Sequence, residues 1–129
     1  MVSLSLQGGV GVDSSDDVYV ADFGENNRIQ KFASNGNLLG KWGTTGSGDG
    51  QLTRPAGRAV DASGNVFVVD EGNNRIQKFD SNGNFITKWG TTGSADGQFE
   101  EPTSISLESS GNVYVVDRGN VRIQVFAPQ

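Results

Sequence analysis

The sequence predicts an all-β protein made of repeated four-stranded antiparallel units. The motif RIQ begins at Arg28, Arg75 and Arg122, which lie 47 residues apart. The runs VYVAD, VFVVD and VYVVD, which precede the three motifs, are rich in β-branched and aromatic residues, and such residues favour strands. Asn-Gly pairs separate further strand-like segments, as is typical of hairpin turns. A repeat of this length suits helical pairs or a four-stranded unit, and these residues favour strands.

The second repeat shows each predicted element in order. We expect strands at roughly 56–61, 65–70, 75–80 and 84–89, with no helix longer than one turn. Tight turns join them, and the Asn-Gly turn predicts type I′ geometry with positive φ at both central residues. The long segment GTTGSADGQFEEP then leads to the next unit, and Phe99, like Leu52 before it, is expected to anchor this link. A repeated meander of four strands is a β-propeller blade.

Three such blades make one predicted domain over residues 1–129, and the last blade is incomplete. The repeats run from about 7 to 54, 55 to 101 and 102 to 129, and the third lacks a counterpart of SNGNFITKW. The alternating segment 2–6 is a candidate for the absent outer strand. Propellers close with about four to eight blades. We therefore expect a homodimer whose two chains complete a six-bladed ring.

Composition excludes several classes of function. The net charge of −5 and the dispersed Lys and Arg residues argue against nucleic-acid and anionic membrane partners. The absence of His and Cys removes the commonest general base and thiolate chemistry. The acidic turns 61–65 and 80–84 do not follow the EF-hand pattern, and the glycine-rich segment 43–50 lacks the end of a phosphate-binding loop. We expect no enzyme, no cofactor and no metal site.

The segments GNVYVVD, GNNRIQKFDSNGNF and GSGDGQL resemble the NHL repeat, named for an Asn-His-Leu triplet. That triplet corresponds here to Asn27-Arg28-Ile29, Asn74-Arg75-Ile76 and Val121-Arg122-Ile123. The resemblance implies a propeller, mostly of six blades in this family, and some members bind proteins or RNA. A related lyase uses metal ions and histidines, and those sites cannot be transferred to a chain that has no His.

Polar residues that recur in every repeat are interpreted as structural ion pairs. A catalytic carboxylate beside a cation is the alternative, but a catalytic site is rarely repeated in each blade. We expect a bidentate Arg–carboxylate contact that closes the turn between the second and third strands. The predicted pairs are Asp22 with Arg28, Asp70 with Arg75, and Asp117 with Arg122.

Positions that change while the repeat stays constant are the candidates for ligand binding. They follow the recurring Asp or precede the recurring Pro, on loops that share one face of a propeller. Arg58 is added because it aligns with Val10 and Ile105 on the innermost strand, where a charge lies near the central channel or needs a buried partner. We favour a structural ion pair there over contact with an anion or another ligand. The candidate set is Phe23, Arg54, Arg58, Glu71, Glu100, Glu101 and Arg118.

These observations favour a non-enzymatic, self-assembling scaffold or binding module that presents a surface to a protein, a peptide or a small ligand. Sequence drift on solvated loops explains the varied positions equally well. A fragment of a longer extracellular or signalling protein is the alternative interpretation, and a carboxylate-based hydrolase or lyase is a more distant one. The near-identity of the first two repeats indicates recent duplication or deliberate design.

Overall fold

The computed structural model describes residues 10–22 and 26–129. The strands of these residues form two four-stranded antiparallel sheets and one three-stranded antiparallel sheet, and in each of them the strands pair in chain order. Short 3-10 turns at Glu71–Asn73 and Arg118–Asn120 are the helical elements of the part described. The strands are β1 Val10–Val12, β2 Val18–Asp22, β3 Arg28–Phe32, β4 Leu38–Trp42, β5 Pro55–Val60, β6 Val66–Asp70, β7 Arg75–Phe79, β8 Phe85–Trp89, β9 Thr91–Thr92, β10 Gln98–Phe99, β11 Pro102–Leu107, β12 Val113–Asp117 and β13 Arg122–Phe126.

The predicted all-β class and the four-stranded meander are confirmed. Each strand of the second sheet begins and ends within one residue of its predicted bounds. The three sheets occupy 10–42, 55–89 and 102–126, while the exact repeat boundaries stay a prediction. The two-stranded parallel ladder of β9 and β10 lies within the link between the second and third sheets.

The predicted type I′ geometry of the Asn-Gly turn is wrong. In the turn 80–84, Gly83 has a φ of 86° and Asn82 is not among the residues with positive φ. The Gly83 N–H donates to the Asp80 carbonyl at 3.1 Å, and the Asp80 N–H donates to the Asn84 carbonyl at 2.9 Å. The Asp80 side chain also accepts the N–H groups of Asn82 and Asn84. The first repeat adopts the same turn with Ala33 in place of Asp80. The backbone bonds therefore define a three-residue loop that ends in one left-handed glycine, and the Asp80 side chain adds to it.

The hydrophobic core lies between the faces of neighbouring sheets. Tyr19 and Ile29 of the first sheet pack with Val66 and Val68 of the second. The intervening residues of β6 point to the other face, and there Phe67 packs with residues of the third sheet. Both faces of the middle sheet are thus covered, and all five residues of β6 are buried. The alternation of side chains along a strand explains why this segment is almost continuously apolar.

The link anchors are found where they were expected. Leu52 is fully buried in the cluster between the first and second sheets. Phe99 is fully buried in the cluster between the second and third sheets. Each link therefore fills the gap between the two blades that it connects.

The first strands of the three sheets lie next to one another, with β5 packed between β1 and β11. At Gly57 an added Cβ would lie 2.9 Å from both the Ser104 Cα and the Thr103 carbonyl oxygen. Such a distance is too short for carbon, so glycine is required for the close approach of β5 and β11. This approach sets the spacing of the innermost strands.

The third sheet has three strands within the described residues, and one of its faces is uncovered. Val116, Ile123 and Val125 are exposed on that face, and 63% of Ile123 is accessible to solvent. The proposed outer strand at 2–6 lies outside the described residues, as does Phe23 of the candidate set.

Candidate functional site

The ion pair of the second repeat joins two directly opposed residues of neighbouring strands, Asp70 and Arg75. The Arg75 Nε lies 2.6 Å from the Asp70 Oδ2. The contact is not the expected bidentate one, because the Nη atoms donate at 2.9 Å to the carbonyl groups of Ser47, Gly48 and Gln51. The guanidinium therefore connects the carboxylate to the preceding link as well as closing a turn.

The second carboxylate oxygen of Asp70 binds the same link. Its Oδ1 accepts the Thr53 N–H at 2.8 Å, while Oδ2 also accepts Nδ2 of Asn73 and Nε2 of Gln77. Gln77 reaches the link directly, donating to the Gln51 carbonyl at 2.6 Å. Buried backbone groups need such partners, so this cluster satisfies a link that has little regular structure.

Asn73 and Gln77 were not among the predicted site residues. The signal for both was in the repeat, because Asn and Gln stand at these positions in all three copies, and Gln is the third letter of RIQ. Selection by formal charge identified the Asp and Arg residues but not the uncharged Asn and Gln side chains.

The third repeat has the same arrangement of Arg and Asp contacts as the second, and the first repeat has the equivalent ion pair. Arg122 lies 2.9 Å from Asp117, and its Nη atoms donate to the carbonyl groups of Ser94, Ala95 and Gln98. The Arg28 Nε lies 3.3 Å from Asp22. Recurrence of one bonding pattern around buried carboxylates favours a role in the frame, which remains to be tested by substitution.

The charge state of Asp117 follows from its partners. Burial alone raises the pKa of Asp117, but donors from Asn120, the Glu100 N–H and Arg122 together bring that pKa below the ordinary value. A carboxylate that stays ionised and is surrounded by hydrogen-bond donors is a poor proton acceptor. The local chemistry suits an anchor better than a general base.

Three of the varied positions are brought together on one end of the sheets. The Arg118 Nη2 lies 2.5 Å from Oε2 of Glu101 and 3.9 Å from Oε1 of Glu71. The Arg118 turn meets the second link because the Gly119 N–H donates to the Glu100 carbonyl, and the Glu71 turn meets the same link because the Glu101 N–H donates to Oδ1 of Asn74, both at 2.8 Å. The result is a mixed-charge cluster, which we call the loop-face cluster: Glu71, Glu101 and Arg118.

Arg54 and Glu101 occupy equivalent exposed positions of successive links. Both have a φ of 50°, and their N–H groups donate to the Oδ1 atoms of Asn27 and Asn74. The backbone of these positions is thus held while the side chains face solvent. Glu100 differs, because it is half-buried and its N–H donates to Asp117.

Arg58 lies apart from this cluster, on the innermost strand β5, and only 6% of it is exposed. Its Nη1 donates to the Ala56 carbonyl at 2.7 Å, and its buried Nε has no hydrogen-bond partner within the described segments. No carboxylate in residues 10–22 and 26–129 forms an ion pair with it. The buried ionic partner that the sequence led us to favour is therefore not found in this part of the chain, and burial lowers the pKa of Arg58.

A pocket of about 350 Å³ lies away from the loop-face cluster, between the turns at the other end of the second and third sheets. Phe67 and Leu107 form its apolar wall, and Asp61 and Glu108 also line it.

Nowhere in the described part do three His, Cys, Asp or Glu residues group as metal ligands would. The described residues also include no helix that is long and apolar enough to cross a membrane.

The NHL repeat is matched at residues 8–32, 52–79 and 99–126, which together make up more than half of the chain. No curated protein is matched by sequence.

Solved structures of propeller-type proteins resemble the fold. A streptogramin B lyase is 16% identical with a TM-score of 0.66, and the match covers 92% of this chain and 39% of that one. A gluconolactonase of Xanthomonas campestris is 17% identical with a TM-score of 0.63, and the match covers 89% and 36%. Virginiamycin B lyase from Staphylococcus aureus is 13% identical with a TM-score of 0.58, covering 95% and 41%. At these identities the likeness establishes the fold alone, and the chain spans less than half the length of each structure.

Proposed function

The chain belongs to the NHL repeat family, and from that premise we propose that it is a non-enzymatic binding scaffold. In this proposal two chains close one six-bladed ring, and the ring presents the loop-face cluster to a protein or peptide. The observation that carries the proposal is the uncovered apolar face of the third sheet.

That face has the same composition as one that is covered elsewhere in the chain. Val116 and Ile123 are exposed, whereas Val69 and Ile76, one repeat earlier, are fully buried against the third sheet. The repeat thus supplies an internal comparison for what this surface does when it has a neighbour. Contiguous exposed apolar surface of this kind marks an interaction site.

The first sheet offers a matching surface. Val18 and Phe32 are half-buried, but their equivalents Val66 and Phe79 are fully buried against the preceding sheet. Val12, at the end of β1, is half exposed. A second copy could therefore place its first sheet on the third sheet, as the second sheet lies on the first within one chain.

Ring closure makes the association energetically reasonable. Apolar burial contributes about 25 cal/mol per Å², and a two-fold pair of chains forms two such junctions at once. Together they must exceed an association cost of about 4–15 kcal/mol, which requires several hundred Å² of apolar surface in total. A closed two-fold ring leaves no uncovered face, while open head-to-tail addition would produce filaments.

The loop-face cluster supplies the proposed binding surface. The Arg118 and Glu101 side chains are more than half exposed and stand on a backbone that is held by the Asn74 side chain and the links. A rigid base with exposed charges of both signs suits a protein or peptide segment of mixed charge. Variation at these positions can alter recognition without disturbing the core.

An interface variant tests the proposal. Ile123→Asp introduces a charge on the uncovered face, and we expect it to halve the particle mass while the chain stays folded. Ile86→Asp is the matched control, because Ile86 is also an exposed apolar residue but lies on the outer strand β8. An Ile123→Asp protein with the mass of a dimer would contradict the proposed junction.

The alternative is that further blades of a longer polypeptide cover the same face. It is favoured by the short coverage, since the chain spans 39% or less of the streptogramin B lyase and gluconolactonase chains. In that case the described segment would be monomeric and prone to aggregation. A hydrolase or lyase activity would have to use the carboxylates of the varied loops, and one of these, Glu101, already forms an ion pair with Arg118.

A further inference from the structure

Arg58 is a buried cation without a described counter-charge. Its guanidinium has five N–H donors, yet among the described residues it forms one hydrogen bond, to the Ala56 carbonyl. The Nε atom is buried and has no partner in the same part of the chain. A buried charge normally requires a partner of opposite sign together with hydrogen bonds that satisfy it, so this arrangement is incomplete.

The frame of the repeat does not require this arginine. Ile105 occupies the equivalent position of the third sheet and is a buried member of the core, while the sequence has Val10 in the first repeat. An apolar residue therefore satisfies the same backbone position. The charge is a departure from the repeat and carries an energetic cost that a folding role alone does not explain.

The position of the Arg58 side chain indicates what kind of ligand satisfies its unpaired N–H donors. The β5 strand lies between β1 and β11, the innermost strands of the neighbouring sheets. The Arg58 stem runs beside Gly11, where an added Cβ would lie 3.5 Å from the Arg58 Cγ. An added Cβ would be in ordinary contact there, so Gly11 leaves room for about one methyl group beside the stem, at the strands nearest the propeller axis.

We propose that Arg58 binds a small oxyanion, a phosphate or a carboxylate, at the innermost strands. The planar guanidinium can offer two parallel N–H groups to either anion, and the unpaired Nε is one of them. The low local polarity strengthens the interaction relative to water. The bound anion supplies the negative charge that the described chain does not.

In the proposed ring of two chains a second Arg58 would strengthen this site. This step rests on the proposed function. In a two-fold ring of six blades the second blades of the two chains lie opposite each other. The two β5 strands that carry Arg58 then line one central channel, and the two guanidinium groups raise its affinity for an anion. The site of a single chain does not depend on this pairing.

Thermal unfolding with added inorganic phosphate tests the proposal, with chloride at equal ionic strength as the reference. We expect phosphate to raise the Tm of the wild type and of Lys41→Leu, which removes an exposed cation elsewhere. Arg58→Leu should lose the phosphate effect and should be at least as stable as the wild type in chloride, because the unpaired charge is gone. Acetate in a parallel titration shows whether the site prefers a planar carboxylate.

An equal phosphate response in wild type and Arg58→Leu would overturn the proposal, as would no response of the wild type to either anion. If Arg58→Leu does not fold, Arg58→Lys keeps the charge without the planar fork, and calorimetry should show phosphate affinity reduced at least tenfold. Affinity that Lys preserves would also contradict the assignment. Light scattering on the same samples separates the two proposals, because a monomer with Arg58-dependent binding disproves the ring and leaves the anion site.

Discussion

Arg75→Ala is expected to lower the stability of the protein substantially. The substitution leaves Asp70, which is fully buried, without its ionic partner, and it removes donors from three carbonyl groups of the preceding link. Loss of one member of a buried pair costs about 3–5 kcal/mol. The lower half of that range is more appropriate, because Asp70 keeps donors from Thr53, Asn73 and Gln77.

The assay is urea unfolding followed by circular dichroism at one fixed protein concentration, since association would otherwise shift the midpoint. A loss of about 3 kcal/mol corresponds to a fall of about 1–3 M in the midpoint urea concentration. Arg28→Ala is the graded comparison, because a quarter of the Arg28 side chain is exposed and its contact with Asp22 is longer, at 3.3 Å. It should cost less, and the exposed Lys41→Ala should have little effect.

An unchanged midpoint for Arg75→Ala would refute the structural interpretation of the recurring pair. A fall as large for Lys41→Ala would show that the assay responds to net charge rather than to the cluster. A change in the slope of the unfolding free energy against urea concentration, and not in the midpoint alone, would indicate an altered unfolded or associated state.

Further predictions address packing, acid stability, secondary structure and partners. Gly57→Ala should destabilise the fold because its Cβ would collide with the backbone of β11, whereas Gly40→Ala has open space and should not; equal melting temperatures would disprove the close approach. The folded-state pKa of Asp117 is depressed, so its contribution is complete above the ordinary pKa of about 3.8 and is lost as the pH falls below it; Asp117→Asn should therefore be less stable than wild type at neutral pH and closer to it in acid. Far-ultraviolet circular dichroism should lack helical minima, and strong ones would contradict the strand assignments. RNA of mixed sequence should not bind at physiological salt, given the net charge of −5, and salt-sensitive submicromolar binding would contradict this.

The strands and links could be predicted because their determinants are local and repeated. Segments such as VFVVD carry strand preference in themselves, and the 47-residue period extended each assignment to the other copies. Phe99 and Leu52 were recognised as anchors because single large apolar residues within polar links must be buried somewhere. The turn type was missed because Asn-Gly also suits a three-residue loop that ends in a left-handed glycine, and both Asn-Gly turns adopt it, although one starts at Asp80 and the other at Ala33.

The site was less predictable because it depends on contacts between repeats. The pairing of Asp70 with Arg75 could be inferred from recurrence. The hydrogen bonds of Arg75 to three carbonyl groups could not, because they depend on the path of the link through space. The meeting of Glu71, Glu101 and Arg118 depends on how two loops pack, which a single-repeat pattern does not contain. For Arg58 the sequence favoured a buried ionic partner, and the described residues provide none.

The particle mass in solution tests the central claim most directly. Light scattering across a dilution series should give about twice the chain mass of 13.6 kDa at every concentration at which the protein is folded. The outer strand of the third sheet could be supplied by the N-terminal segment of the partner chain, and deletion of residues 1–6 tests this. A retained dimer would mean that packing of the sheet faces suffices. A well-folded particle of 13.6 kDa at micromolar concentration would contradict the ring of two chains.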